Sequence, residues 1–168
     1  MMTSILIATL IYITYNVISI IYFGIPNSLS QTYYLWKSKA NIGYVFTASM
    51  AAVVLAMMPA WITISEGSSF QFLSFLAPAA IMFVAMAPAF MSSDLENKVH
   101  SISAICAAVF ALAWVVLVAG MWWIILVWLA LVVAAAIWSK TIPAYVYWLE
   151  TIAFGSTFTS VIIYAIWK

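Results

Sequence analysis

The sequence predicts an all-α protein, a polytopic transmembrane bundle of about six spans with one short interfacial helix. Of its 168 residues, 68% are apolar and 5% are charged, and its mean hydropathy is +1.20. A soluble domain needs far more charge to cover its surface. Apolar runs of about 20 residues recur, the length at which an α-helix crosses a bilayer. Residues 1–168 are therefore interpreted as a single transmembrane domain.

Composition also excludes several classes of function. Five lysines oppose four acidic residues, and arginine is absent, so no basic patch predicts a nucleic-acid partner. One histidine and one cysteine cannot supply a dedicated zinc site within one chain. No metal and no cofactor is expected. The expected partner is the lipid bilayer, with a small-molecule or ion ligand and a second copy of the chain left open.

The first span is predicted at residues 3–23. It lacks a basic leading region and a small-residue cleavage site, so it is interpreted as a retained helix rather than a signal peptide. Asn16 lies within this span. An interhelical hydrogen bond is the first interpretation of an amide at such a position.

A short helix after the first span is predicted to lie in the membrane interface. Residues 24–27 end the first span, and Ser28 and Gln31 have the spacing of a capping box. Its aromatic side chains would lie at headgroup level, while Lys37 and Lys39 would reach water. Membrane anchoring is favoured over docking of a partner.

Prolines mark the second and third predicted spans. The second covers residues 41–65, with Pro59 toward its far end, and the third covers residues 70–91. The third contains Pro78 and Pro88 and is predicted to be kinked, because proline removes a backbone donor from the helix.

The last three spans are predicted at residues 94–118, 121–139 and 143–167. Ser93 and Glu96 form a second capping-box pattern before the fourth span. Gly120 divides a run that would otherwise be about twice as long as a membrane is thick. Pro143 stands at a tolerated first-turn position of the sixth span.

Glu150 is the most informative residue, because it lies seven positions past Pro143, or ~10 Å into the sixth span. A charge costs ~2.5–3.5 kcal/mol at the bilayer centre, so it is expected to face protein or water. Helical spacing places further polar side chains on its face. We call this set the polar seam: Tyr147, Glu150, Thr157, Ser160 and Tyr164.

The depths of several polar residues coincide in one leaflet. Asn16, His100 and Glu150 all lie within ~12 Å of the same membrane face, and Tyr44 and Thr47 begin the second span at that level. These depths allow a cluster around Glu150, if the helices that carry these residues are neighbours. The candidate ligand- or ion-binding residues are Glu150, His100, Asn16, Tyr147 and Thr157.

Three functions remain open at this point. The polar seam favours binding or transport of a proton, a cation or a small amphipathic ligand. The alternative is a structural or partner-subunit membrane protein with no ligand, in which Glu150 only packs. The third is a lipid-modifying intramembrane enzyme, for which the sequence offers no nucleophile, metal set or signature. No catalytic residue is assigned.

Lysine placement predicts the orientation. Lys37, Lys39, Lys98 and Lys140 fall in the first, third and fifth loops, and Lys168 falls on the opposite side. The positive-inside rule then places those loops in the cytoplasm and both termini outside.

Two segments carry a resemblance to known proteins. Residues 24–34, Gly-Ile-Pro-Asn-Ser-Leu-Ser-Gln-Thr-Tyr-Tyr, and residues 96–100, Glu-Asn-Lys-Val-His, resemble uncharacterised small multi-pass membrane proteins of bacteria and their phages. The resemblance implies a bacterial inner membrane. It implies no activity and no functional residues.

Overall fold

Seven α-helices make up the part of the chain that the structure, a computed structural model, describes: residues 1–167. A single 3-10 turn, Ile142–Ala144, precedes the last helix. The all-α prediction is confirmed for these residues. The helices are α1 (Met2–Phe23), α2 (Thr32–Ala40), α3 (Tyr44–Ser65), α4 (Leu73–Met86), α5 (Asp94–Leu117), α6 (Trp122–Trp138) and α7 (Tyr145–Trp167).

Among these helices, four are long and apolar enough to cross a membrane, and two are apolar but shorter. The long ones correspond to α1, α3, α5 and α7, the last extended by the 3-10 turn. The shorter ones are α4, with 14 residues, and α6, with 17 residues. By length and composition, these are the helices of a multi-pass integral membrane protein.

Helix α4 is shorter than the predicted third span of residues 70–91. It ends at Met86, and Ala87 adopts φ −110° and ψ 55°. The physical reason is Pro88, whose ring disfavours the helical conformation in the residue before it. Pro78, by contrast, remains inside the helix. Thus Pro88 terminates this helix, whereas the sequence predicted that it would kink it.

Helix α2 exists where a short helix was predicted, but its direction differs from that of a helix lying flat in the interface. The Tyr15 hydroxyl shares a hydrogen bond with the Thr32 hydroxyl, and Trp36 Nε1 donates to Ser19 Oγ at 3.1 Å. Both pairs are 17 residues apart in the sequence. A constant offset means that α1 and α2 run in the same direction, linked through these side chains.

The chain must therefore turn back into the bundle between these two helices. Residues 24–31, the returning segment, run from the end of α1 at Phe23 back to the level of Tyr15, a distance of ~12 Å. Pro26, Leu29 and Ser30 in this segment are buried. Irregular backbone at such depth is tolerated where protein surrounds it.

Local hydrogen bonds shape the returning segment as it enters α2. The Gln31 N–H donates to Ser28 Oγ at 3.1 Å, and the Asn27 N–H donates to Gln31 Oε1 at 2.7 Å. These two bonds resemble a capping box, except that the Gln31 side chain accepts from the N–H of Asn27 and not from that of Ser28. The helix itself begins one residue later, at Thr32.

The bundle core is built around α3, which packs against α1, α2, α4 and α7. Trp114 of α5 is fully buried, and its Nε1 donates to Ser65 Oγ at 2.8 Å. The Trp114 ring stacks on Trp61 with 5.7 Å between ring centroids. At the other end of the bundle, Phe46 of α3 packs in a second buried cluster with Tyr15.

Candidate functional site

A cavity of about 80 Å³ lies among α3, α4, α5, α7 and the returning segment. Its wall on α3 extends from Phe46 to Trp61, which corresponds to ~22 Å of helical rise. On α7 the wall extends from Glu150 to Phe158. The cavity is therefore elongated along the helices, with a Glu150 end and a Trp61 end.

Small residues of α5 leave the space that the cavity occupies. The side chains that face it from α3 are large, whereas those from α5 are four alanines. Small residues allow helix backbones to approach closely, and α5 does pack along α4. Opposite the bulky side chains of α3, the alanines leave a gap. They are Ala104, Ala107, Ala108 and Ala111.

The cavity wall is almost entirely apolar. Among the described residues, Glu150 is the only ionisable side chain on it. The Thr157 hydroxyl also lies on the wall, but it donates to the Ala153 carbonyl at 2.8 Å within α7. Ser30 Oγ lies 3.1 Å from Ser28 Oγ within hydrogen-bonding geometry. Glu150 is thus the dominant polar group of the site.

Glu150 is held by the backbone of the returning segment. The Leu29 N–H donates to Glu150 Oε2 at 2.6 Å. One turn earlier in α7, the Tyr147 N–H donates to the Asn27 carbonyl at 3.0 Å. Helix N-termini carry backbone donors without intrahelical partners. The returning segment therefore accepts a hydrogen bond from the backbone at the start of α7, through the Asn27 carbonyl. It also donates one to the Glu150 side chain, through the Leu29 N–H.

The other oxygen of Glu150 is not used by the protein. Oε2 makes the bond to Leu29, and none of the described residues hydrogen-bonds to Oε1. A carboxylate can accept several hydrogen bonds. The side chain is partly buried and lines the cavity. It can therefore accept a further donor that enters from the cavity.

Asn16 and Tyr147 lie together beside this site, as their depths predicted. The Tyr147 hydroxyl donates to Asn16 Oδ1 over a long distance of 3.5 Å. Asn16 Nδ2 donates to the Tyr12 carbonyl at 3.0 Å. Both side chains are buried. The interhelical hydrogen bond predicted for Asn16 is found, and it joins α1 to α7 outside the cavity wall.

His100 and Thr47 lie elsewhere, contrary to the predicted cluster. His100 Nδ1 lies 3.0 Å from the Ala87 carbonyl oxygen, within hydrogen-bonding geometry, and the Thr47 hydroxyl donates to the Ala85 carbonyl at 2.9 Å. These carbonyls belong to the end of α4, where Pro88 stops the helix and leaves acceptors unpaired. The side chains of His100 and Thr47 therefore hold the end of α4 and do not contact Glu150.

Two further residues complete the comparison with the predicted site. Tyr44 is 65% exposed and does not line the cavity. Ser160, a member of the polar seam, is buried, and its hydroxyl has no hydrogen-bond partner among the described residues. The seam is therefore not one continuous binding surface. Of its members, Glu150 and Thr157 reach the cavity.

Sequence reasoning missed Leu29 and Trp61 as site residues. The Leu29 contribution is a backbone N–H, which no side-chain pattern can indicate. A signal for irregular backbone was present in Gly24 and Pro26, but it carried no information on the direction of the chain. Trp61 lies within an apolar span, where a tryptophan is expected to be an ordinary residue of the hydrophobic core.

By length and composition, the long apolar helices define the class as a multi-pass integral membrane protein. No family model, curated protein or solved structure matches the chain. The resemblance of residues 24–34 and 96–100 to bacterial and phage proteins therefore stays a prediction.

Proposed function

We propose that the protein binds a small amphipathic ligand whose polar group hydrogen-bonds to Glu150 and whose apolar body occupies the cavity. The observation that carries this proposal is a carboxylate on the wall of an otherwise apolar, elongated cavity. Ligand sites of this type combine apolar walls with a few polar groups that fix orientation. A primary amine suits Glu150, because it donates hydrogen bonds to a carboxylate.

The size of the cavity restricts the ligand. Sites for drug-sized molecules measure ~300–1,000 Å³, whereas this cavity has about 80 Å³. A single water needs ~10–15 Å³. The space therefore fits a slim chain and excludes a bulky ring system.

The apolar wall favours this ligand over a metal cation. A buried water needs two to four polar partners, and the middle of the wall consists of side chains such as Val53, Met57 and Ala107. A bare ion would lose its hydration without replacement ligands. An alkyl chain loses nothing there, since its burial is favourable.

A second candidate function is structural, and one observation favours it. The bond between Leu29 and Glu150 Oε2 fastens the returning segment to α7. In this proposal Glu150 serves only to hold that segment. The two proposals differ for Glu150→Gln, because the glutamine carbonyl can still accept from Leu29 but lacks the carboxylate charge.

Binding of alkylamines tests the proposal. We expect n-propylamine or n-butylamine to raise the thermal unfolding temperature of the purified protein in detergent at fixed pH. Saturation at 100 times the dissociation constant would stabilise by ~2.7 kcal/mol. The carboxylic acids of equal chain length should have no such effect, since they would place a second acceptor beside Glu150.

Two variants control the alkylamine experiment. Glu150→Gln should lose most of the stabilisation, whereas Glu96→Gln should keep it, because Glu96 lies in the first turn of α5 and off the cavity wall. Equal responses of wild type and Glu150→Gln would contradict binding at the carboxylate and favour the structural function.

We infer further that α4 and α6 also cross the membrane, which gives six spans. Support comes from the packing of α4 along α3. Leu73, at the start of α4, shares a buried cluster with Ile64 near the end of α3. At the other end of α4, Ala85 accepts from Thr47 near the start of α3. Helix α4 therefore runs beside most of a helix that has 22 residues.

Cysteine labelling should verify this topology and the orientation. In a Cys106→Ala background, Ser69→Cys is expected to react from the side opposite to Ser38→Cys and Ser92→Cys. All three serines are exposed. With both termini outside a bacterial inner membrane, an impermeant maleimide should reach position 69 from outside. Reaction of positions 69 and 92 from the same side would show that α4 does not cross.

A further inference from the structure

We propose that an open groove at the start of α3 binds an anionic phospholipid, with the lipid phosphate at Lys37 and one acyl chain along Ala48 and Ala51. The groove has a volume of about 490 Å³ and lies between α2, the start of α3 and Pro88. It shares no lining residue with the cavity at Glu150. This inference is therefore independent of the proposed function.

The groove extends from the membrane boundary into the hydrocarbon region. Helix α3 is long and apolar enough to cross a membrane and begins at Tyr44, so its first residues lie near the lipid headgroups. Ala48 and Ala51 line the groove further along this helix, ~6 and ~10 Å deeper than Tyr44. Ala48 is exposed and Ala51 is half-buried. The floor of the groove is therefore accessible to an acyl chain of the surrounding lipid.

Close packing of α2 on Gly43 brings a lysine to the same boundary. A Cβ atom built on Gly43 would lie 2.8 Å from the Tyr33 carbonyl oxygen and 3.0 Å from Cβ of Lys37. The absence of a side chain at Gly43 thus allows α2 to approach the start of α3. Lys37 is exposed and lines the groove, so its ammonium group can reach the headgroup region.

The charge of the groove matches an anionic headgroup. Among the described residues, Lys37 is the only charged side chain on its wall, and no carboxylate there competes for the lysine. Side chains of Tyr33, Asn41 and Tyr44 on the same wall add hydrogen-bond donors. Basic pockets between transmembrane helices bind anionic lipid headgroups. A zwitterionic lipid would bring a second cation close to Lys37, so the anionic lipid is favoured.

The volume of the groove decides which part of the lipid it holds. Sites for drug-sized molecules measure ~300–1,000 Å³, and the groove, with about 490 Å³, falls within this range. It therefore accommodates a phosphoglycerol headgroup and the upper part of one acyl chain, while the rest of the lipid stays in the bilayer. A free phosphate ion would leave the floor at Ala48 and Ala51 unoccupied.

Lys39 provides a matched control, because it carries the same charge on the same helix but contacts other groups. Its ammonium nitrogen lies 4.1 Å from the centroid of the Tyr22 ring and 5.4 Å from that of Phe23. Lys39 does not line the groove, although both lysines are exposed. Neutralising either lysine changes the net charge equally, so a difference between the two variants reports a contact within the groove.

Lipid titration tests this inference. The purified protein in detergent is titrated with dioleoylphosphatidylglycerol or with dioleoylphosphatidylcholine, which has the same acyl chains, and the unfolding temperature gives the apparent affinity. We expect wild type to bind the phosphatidylglycerol about fivefold more tightly than the phosphatidylcholine. Lys37→Gln should abolish this preference, whereas Lys39→Gln should retain it. Equal affinities of wild type for the two lipids, or equal loss of the preference in both variants, would overturn the inference.

Two further measurements separate a lipid from a soluble anion. Glycerol 3-phosphate carries the phosphate without acyl chains and should neither stabilise wild type nor compete with the phosphatidylglycerol. Ala48→Phe places a ring on the exposed floor of the groove and should weaken binding of the phosphatidylglycerol. Competition by glycerol 3-phosphate at equal concentration, or unchanged affinity in Ala48→Phe, would contradict a lipid whose acyl chain lies along α3.

Discussion

Replacing Glu150 with alanine is expected to destabilise the protein by ~1–3 kcal/mol even without ligand, whereas glutamine at this position should be nearly neutral. The reason is the Leu29 N–H, which donates a hydrogen bond to Glu150 Oε2. Leu29 is buried, with 4% of its surface exposed. Alanine leaves this donor unpaired in an apolar environment. Glutamine retains a carbonyl oxygen of similar reach.

Unfolding in detergent, followed by tryptophan fluorescence, would measure this difference. Glu66→Ala is the control, because Glu66 is an exposed carboxylate after α3. Hydrogen exchange gives an independent measurement: the returning segment should exchange faster in Glu150→Ala than in Glu150→Gln. Wild-type stability and wild-type exchange in the alanine variant would show that Glu150 does not hold the returning segment.

The long helices could be predicted from the sequence because apolar length alone specifies them. The first span was predicted at residues 3–23 and the fourth at 94–118, and the corresponding helices are Met2–Phe23 and Asp94–Leu117. Local chemistry also marked the start of α5, where Ser93 Oγ accepts from the Glu96 N–H at 3.1 Å. Such features depend on residues that are close in the sequence.

The direction of α2 could not be predicted, because it depends on contacts between residues 17 positions apart. The α2 residues of these pairs, Thr32 and Trp36, are equally compatible with an interfacial helix. The same limit applied to the site. Depth along each helix correctly brought Asn16 to Tyr147, but depth does not specify which helices are neighbours. His100 was therefore assigned to Glu150 although it contacts α4 and the residue after it.

The contact between α6 and α7 gives the second large expected effect, on Gly155→Ala. A Cβ atom built on Gly155 would lie 2.5 Å from Cδ2 of Trp128. The Trp128 ring cannot easily move, because its Nε1 donates to Thr159 Oγ1 at 3.0 Å. The absence of a side chain at Gly155 thus allows the two helices to pack closely.

Two effects of opposite sign decide the outcome of Gly155→Ala. In an open helix position, alanine would be favoured over glycine by ~1 kcal/mol. Here the added methyl group must displace a rigid ring, and overpacking costs ~1–3 kcal/mol. Because the clash involves a ring and not the flexible end of a side chain, we expect a net loss of stability and a lower unfolding temperature in detergent.

Neighbouring substitutions make this prediction specific. Ser156→Ala should be neutral or stabilising, since Ser156 is fully buried and its hydroxyl has no partner among the described residues. In a Trp128→Leu background, Gly155→Ala should cost much less, because the obstructing ring is gone. A double-mutant cycle measures this coupling. An equal cost of Gly155→Ala in both backgrounds would show that the Trp128 ring is not what requires glycine at position 155.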